Sequence, residues 1–339
     1  MRAAIVHEPG RMTVIERDLP AEPPPGWVTL DVARVGICGT DYHIFEGKHP
    51  FLDYPRVMGH EFSGRIAALG EGVTLPVGSL HIVNPYLSCG DCVACSRGKP
   101  NCCTKIAVLG VHTDGAMCDR INVPISSLYS AGSLSPRDAA TVEFLAIGAH
   151  AVRRANPAKG DRALVVGVGP IGIGAAIFAR IAGCDVTLLD ASEERLEFGL
   201  EKLGFTSALK VAPDTDRSIS SLTSGDGFDV IFDCTGVAPS IEAGFTRLAH
   251  GGTYVLVSVV KDVISFPDPE FHKRETTLLG SRNATRVDFE HVVDCIGRGL
   301  VPLDALITHS LTLADLPAFM AERAHDKRGL IKAIIEVNA

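Results

Sequence analysis

"RALVVGVGPIGIGAAIFA", residues 162–179, is the stretch whose reading decides how this chain folds. Taken as one apolar segment, the part from Ala163 to Ala179 is nearly long enough to span a bilayer. It contains four glycines and a proline. These fit a buried parallel strand, a tight turn and a helix start, because a strand covered on both faces also reads as a solid apolar run. Within it Gly167, Gly169 and Gly172 spell GxGxxG, enclosing Pro170 and Ile171. The first glycine permits the turn, the second lets backbone approach a pyrophosphate, and the third allows close packing of helix on strand.

That motif is weak alone, and an ordinary tight turn is its rival. Here a strand-like run precedes it, a helix-like segment follows, and Asp190 ends the next apolar run. An acidic side chain at that place accepts hydrogen bonds from adenosine ribose hydroxyls and repels a 2′-phosphate, so the expected cofactor is NAD rather than NADP. Arg195 reads as a helix residue able to stack over adenine, and Thr235, near the end of a later run, completes the expected cofactor positions.

Outward from this stretch, short apolar runs alternate with helix-like segments. The runs are "ALVVG" (163–167), "DVTLLD" (185–190), "DVIFDCTG" (229–236), "TYVLVSV" (253–259) and "TTLLGS" (276–281); helical spacing begins near Ile171, Ser192 and Pro239. This order predicts a doubly wound parallel sheet over residues 148–286. Residues 1–147 read differently. "WVTLDVARVGIC", "FSGRIAALG" and "SLHIVNPYL" are β-prone runs between Gly and Pro turns, which predicts a β-rich domain. A helix-like "DFEHVVDCIGRGL" and a strand-like "LIKAIIEV" lie in residues 287–339 and are expected to complete that first domain.

The 339 residues carry 32 Lys and Arg against 40 Asp and Glu, a formal charge of −8, with no long basic run. Phosphate-backbone binding needs a positive stripe, so nucleic acid is not an expected partner. The opening "MRAAIVHEPGRM" has neither an apolar signal stretch nor an Arg/Ser-rich transit pattern, so the expected location is the cytoplasm, without membrane attachment. With 46% hydrophobic and 21% charged residues, the composition is that of a globular protein.

Five of the ten cysteines fall in "CGDCVACSRGKPNCC", residues 89–103. Cys89, Cys92 and Cys95 have CxxCxxC spacing, and Cys103 follows. Four thiolates converging from a folded-back loop make a closed tetrahedral zinc site, without a position for substrate. Disulfides are disfavoured by the expected compartment; an iron–sulfur cluster has compatible spacing. Upstream lie Cys38 in "GICGTDYH", His60 and Glu61 in "GHEFSG", and later Glu143 in "TVEFLAIGAH". Thiolate, imidazole and carboxylate all suit zinc, and a site short of four protein ligands admits a substrate. Each also has an ordinary structural reading, and no spacing rule joins them.

"GICGTDYH", "GHEFSG", the cysteine loop and "GVGPIG" occur in the order seen in zinc-dependent medium-chain alcohol and polyol dehydrogenases, and the resemblance covers the whole chain. It implies a GroES-like β-rich catalytic domain and a Rossmann NAD-binding domain with the active site between them. It further implies Cys38, His60 and Glu61 as catalytic-zinc ligands, and Glu143 as an exchanging ligand or a neighbour of the set. Structural zinc falls on Cys89, Cys92, Cys95 and Cys103, and Thr40 and His43 match the family's proton-relay positions. A cysteine replaces Glu143 in simple alcohol dehydrogenases; the carboxylate resembles the sorbitol and threonine dehydrogenase branch. A homodimer or homotetramer is implied as well.

"GVHTDG" (110–115), "EFLAIGAHAVRRA" (143–155) and "DPEFHKRETTLLGSRNAT" (268–285) look like the bacterial L-galactonate 5-dehydrogenase group. That resemblance implies oxidation of a sugar acid's secondary hydroxyl, on L-galactonate or a related aldonate such as L-gulonate. A sugar acid needs a carboxylate partner, for which Arg282 with Asn283 is the candidate and a surface ion pair the rival. Competing functions are a polyol or L-threonine dehydrogenase, a zinc-free quinone reductase of the same fold, and a non-catalytic NAD- and zinc-binding sensor.

Overall fold

The computed structural model describes residues 1–49 and 52–338. Its contacts divide the chain into two units, Met1–Phe144 with Thr285–Ala339, and Leu145–Ala284.

In the second unit the strands Arg162–Val166, Asp185–Asp190, Phe228–Asp233, Leu248–Leu256 and Thr277–Gly280 form a parallel sheet. The first three coincide with apolar runs, because strands buried on both faces need an unbroken apolar sequence; Leu248–Leu256 begins ahead of its run, and Thr277–Gly280 is a largely exposed edge strand. The strand Ser207–Lys210 is added beside Asp185–Asp190. It had no apolar run to announce it, since this four-residue edge strand is only half-buried. Sheet order places Arg162–Val166 next to Phe228–Asp233, so the chain order reverses direction at the glycine loop. In open α/β sheets that is where ligands bind.

The helices Pro170–Ile181, Glu193–Glu201 and Ala238–Arg247 follow the first, second and third of these runs. Pro170 takes the first helical turn, where its missing N–H costs nothing. Ser192 caps the next helix through its side chain, accepting from the Arg195 N–H. Gly174 lies against Gly148 of the helix Val142–Ala155, where a Cβ on Gly148 would collide with backbone.

The first unit is built on the long strand Trp27–Ile37. It pairs antiparallel with Glu61–Leu69, Arg120–Pro124 and Lys332–Glu336. The final strand therefore returns to the first unit. Register sets Gly36 opposite Glu61 on one side and opposite Ile334 on the other. Buried Val28, Leu30, Val32, Val35, Phe62 and Ile335 belong to one apolar core beneath this sheet. Near it the short strands Tyr86–Leu87 and Ala107–Val108 pair as the stem of the cysteine-rich loop. Among the described residues no helix is long and apolar enough to cross a membrane.

Candidate active site

Cys38 ends the Trp27–Ile37 strand and caps the short helix Gly39–Phe45. Asp41, in that helix's first turn, accepts the Cys38 N–H at 2.8 Å and so fixes the strand-to-helix turn. Glu61 opens the neighbouring strand Glu61–Leu69 and His60 immediately precedes it, so the pairing of Glu61 with Gly36 brings both towards Cys38. One ligand atom from each of Cys38, His60 and Glu61 lies within 4.8 Å of the others. Pairing in the sheet thus does what sequence spacing could not. Gly36 is required here: a Cβ at that position would collide with the Glu61 carboxylate.

The surroundings are anionic and dry. His60, Glu61, Asp41 and Glu143 are all buried. His60 Nδ1 faces Asp41 Oδ1 at 3.7 Å, too far for a hydrogen bond, and both atoms lack a partner. Burial opposes a charge on His60, but Asp41 and Cys38 overcome it and hold the imidazole well above its ordinary range. Burial pushes the Asp41 carboxyl up, and pushes Glu143 up to about 7 with help from the charge of Glu61. One lysine answers these acids: Lys332 Nζ donates to Glu61 at 2.7 and 2.9 Å and to the Ile37 carbonyl at 3.2 Å. Burial works against the Lys332 charge, yet Glu61 and Cys38 keep it favoured. A soft thiolate, an imidazole and a carboxylate, unpartnered buried polar atoms and a surplus of acid together fit zinc.

Glu143, second residue of its helix, does not join the group of three. Its Oε1 instead accepts a hydrogen bond from the Tyr86 hydroxyl. Tyr86, Asp41 and Lys332 are the residues that sequence reasoning missed. Asp41 had a faint signal, an acidic residue three positions after a helix-capping one. Lys332, in "LIKAIIEV", and Tyr86, in "SLHIVNPYL", had none. Thr40 and His43 sit on one face of the Gly39–Phe45 helix by their three-residue spacing. Partial burial, and next the charge of Lys327, lower the His43 pKa from its ordinary value.

The four Sγ atoms of Cys89, Cys92, Cys95 and Cys103 also lie within 4.8 Å of one another. Cys89 to Cys103 is 3.4 Å and Cys92 to Cys95 is 3.5 Å. A tetrahedron with Zn–S bonds of about 2.3 Å has edges of about 3.8 Å, so the set is close to the size zinc demands. The backbone N–H groups of Cys95 and Thr104 pull the Cys92 thiol down to about 5, favouring the thiolate that a metal needs. Cys102 stays outside the group.

In the second unit a cavity of about 500 Å³ is lined by Gly167, Gly169, Asp190, Arg195 and Thr235. Gly167 has φ of 88°, in the left-handed region, and presses against Thr235 and Cys234. Gly172 packs so closely that a Cβ would collide with the Gly167 carbonyl, whereas a Cβ on Gly169 would meet only Arg195 Nη1, at 3.9 Å. These are the separate duties a dinucleotide loop requires of its glycines. Asp190 Oδ2 accepts the Val168 N–H at 2.6 Å and Oδ1 accepts the Ser192 N–H at 2.8 Å, so this carboxylate also ties the loop to the following helix. Arg195 Nη1 lies 3.8 Å from Asp190. Thr235 donates its hydroxyl to Asp233 at 2.7 Å. Pro170 and Ile171 form the helix start beside the cavity. Arg282 and Asn283 follow the C-terminal end of the strand Thr277–Gly280; Arg282 is exposed, and Asn283 has φ of 53°.

A glycine loop at the reversal of a parallel sheet, a three-donor metal group and a closed four-thiol loop define a metal-dependent dehydrogenase. The zinc-binding dehydrogenase profile matches residues 170–298, and the alcohol dehydrogenase GroES-like domain matches residues 24–133. The chain belongs to the zinc-dependent alcohol and polyol dehydrogenase family. It is 39% identical over 336 residues to L-galactonate-5-dehydrogenase of Escherichia coli strain K12, which covers 99% of this chain and 98% of that protein. Identity to 2-dehydro-3-deoxy-L-galactonate 5-dehydrogenase of Pseudoalteromonas atlantica is 32% over 320 residues, 94% of this chain and 93% of that one. The fold is also that of the crystal structure of short chain alcohol dehydrogenase (rspB) from Escherichia coli CFT073 complexed with cofactor NADH, with a TM-score of 0.92 at 30% identity over 99% of both chains.

Proposed function

We propose that this enzyme oxidises the secondary hydroxyl of a sugar acid, L-galactonate or a related aldonate such as L-gulonate, to a keto-sugar acid, with NAD as hydride acceptor. The observation that carries this reading is the 39% identity, end to end, with L-galactonate-5-dehydrogenase. Asp190 at the cofactor cavity supports NAD over NADP, since a carboxylate repels a 2′-phosphate.

Cys38, His60 and Glu61 would hold the catalytic zinc, and Cys89, Cys92, Cys95 and Cys103 the structural one. When bound, the catalytic ion supplies Lewis-acid polarisation of the hydroxyl, and the nicotinamide accepts the hydride. The chain's own residues do the rest. Asp41 holds the turn that carries Cys38. Lys332 balances Glu61, so the carboxylate is not left as a lone buried charge. Thr40 would hand the substrate's proton towards His43, which its lowered pKa keeps neutral and able to accept at pH 7. Arg282, with Asn283 beside it, would pair with the sugar acid's carboxylate, a contact suited to a planar guanidinium.

Self-association as a homodimer or homotetramer is part of this reading. The strand Thr277–Gly280 ends the sheet order and presents an exposed Leu278. Such an edge invites pairing, and sedimentation of the full chain tests it; a monomer at micromolar concentration removes this part.

A screen of NADH release over aldonates, polyols and L-threonine, with and without a zinc chelator, tests the function. Turnover confined to aldonates and lost on chelation is the expected result. Preference for sorbitol or L-threonine would sink the substrate assignment, and full activity after chelation would sink the metal's role.

A further inference from the structure

Zinc readily takes carboxylate ligands, and Glu143 is a buried carboxylate whose chain neighbour Phe144 lies against Lys332, the partner of Glu61. If it joined Cys38, His60 and Glu61, the set would have four protein ligands, and a closed tetrahedral site keeps no position for substrate. Something must hold it off. The group that touches it is the Tyr86 hydroxyl, which donates to Oε1. That hydrogen bond ties Oε1 to the tyrosine and fixes the direction in which the carboxyl group points.

Tyr86 is itself held from two sides. Its N–H donates to Asn84 Oδ1 at 3.0 Å, and Asn84 Nδ2 donates in turn to the Tyr129 hydroxyl at 2.9 Å. It also stands opposite Val108 in the two-stranded stem of the cysteine loop, three residues ahead of Cys89. The closed thiolate site therefore clamps the base of the strand that presents the tyrosine.

We propose that Tyr86 is a positioning residue, whose hydroxyl keeps the Glu143 carboxylate outside the Cys38, His60 and Glu61 ligand set and so keeps one metal position open. This rests on the reading of those three residues as a zinc site. The inference gives the cysteine loop a second task beyond stability: its stem fixes the tyrosine that governs the other ion.

The test measures zinc release from the loaded full chain to a chromogenic chelator, for the wild type, Tyr86→Phe, Glu143→Gln and the double variant. Two zinc ions per chain are expected in the wild type. Tyr86→Phe frees the carboxylate to coordinate, so one ion should leave about tenfold more slowly, the size of a charge-assisted hydrogen bond. Turnover should fall at the same time, and adding Tyr86→Phe to Glu143→Gln should change neither quantity. A merely structural tyrosine would instead hasten release in both backgrounds. Unchanged or faster release with Tyr86→Phe, or an equal effect in the Glu143→Gln background, overturns the role of Tyr86 while two ions per chain leave the metal site standing. Fewer than two ions per chain overturns both.

Discussion

Lys332 Nζ lies 2.7 Å from Oε2 and 2.9 Å from Oε1 of Glu61, with both side chains shut away from solvent at 1% and 0% exposure. The ammonium also rests 4.2 Å from the centre of the Phe144 ring. Breaking a buried pair by removing one partner costs about 3–5 kcal/mol, because the remaining charge is left uncompensated. Lys332→Met should therefore destabilise the chelator-treated protein by about that amount, and a bound cation should make up part of the loss. Urea unfolding of the variant with EDTA and with zinc checks this. Equal losses in both conditions would show that Lys332 acts by packing rather than by balancing Glu61.

The two metal groups should respond differently to loss of a thiol. Cys92→Ser opens a closed four-thiolate site and should lower thermal stability or disrupt assembly. Cys38→Ser should leave the fold near wild-type stability while turnover drops about a thousandfold or more, since a metal's charge stabilisation is worth several kcal/mol in the transition state. Zinc content, Tm and kcat for both variants decide the matter. A Cys38→Ser protein with substantial turnover would remove that residue from the chemistry.

Replacing Asp190 by Ser should narrow the preference for NAD over NADP by about tenfold or more, the scale of one lost charge-assisted hydrogen bond and one relieved repulsion. Some loss of stability should accompany it, because the same carboxylate ties Val168 and Ser192. The ratio of kcat/KM for the two cofactors is the readout. An unchanged ratio would mean that the carboxylate serves the loop alone.

His43 sets a pH expectation. Partial burial and Lys327 lower its pKa below the ordinary 6.5. The folded state thus disfavours the imidazolium, so protons bind the unfolded chain more readily. Stability from this group is intact above pH 6.5 and declines as pH falls below it. For oxidation the neutral ring must be present to accept a proton, so kcat should fall at pH values beneath that lowered pKa. His43→Asn should lower kcat and abolish that acid limb; a variant with the wild-type profile would exclude His43 from the relay.

Arg282→Ala should raise KM for an aldonate by about tenfold or more while leaving KM for an uncharged polyol nearly unchanged, as expected for one lost charge-assisted contact. Steady-state kinetics on L-gulonate and sorbitol make the comparison. Equal effects on the two would remove the carboxylate assignment.

The parallel sheet and the dinucleotide loop were legible in the chain because both are local. A strand buried on two faces must be apolar throughout, and the glycines at 167, 169 and 172 answer to turn, approach and packing within six residues. The cysteine loop was legible for the same reason: its four sulfurs come from fifteen consecutive positions. The other metal group was not. Cys38, His60 and Glu61 are brought together by antiparallel register between two strands, which spacing does not encode; resemblance to a family had to join them.

What only the tertiary structure decided is the set of partners around those ligands. Lys332 arrives from the far end of the chain because Lys332–Glu336 pairs with Trp27–Ile37. Tyr86 reaches Glu143 because a two-stranded stem carries it there. Neither contact leaves a trace in local periodicity or composition, since each depends on which distant strands pair and in what register. Sequence alone determined which donor groups and which glycine loop this protein has; the sheet's register determined which donors stand together, and which buried carboxylate lies outside their group.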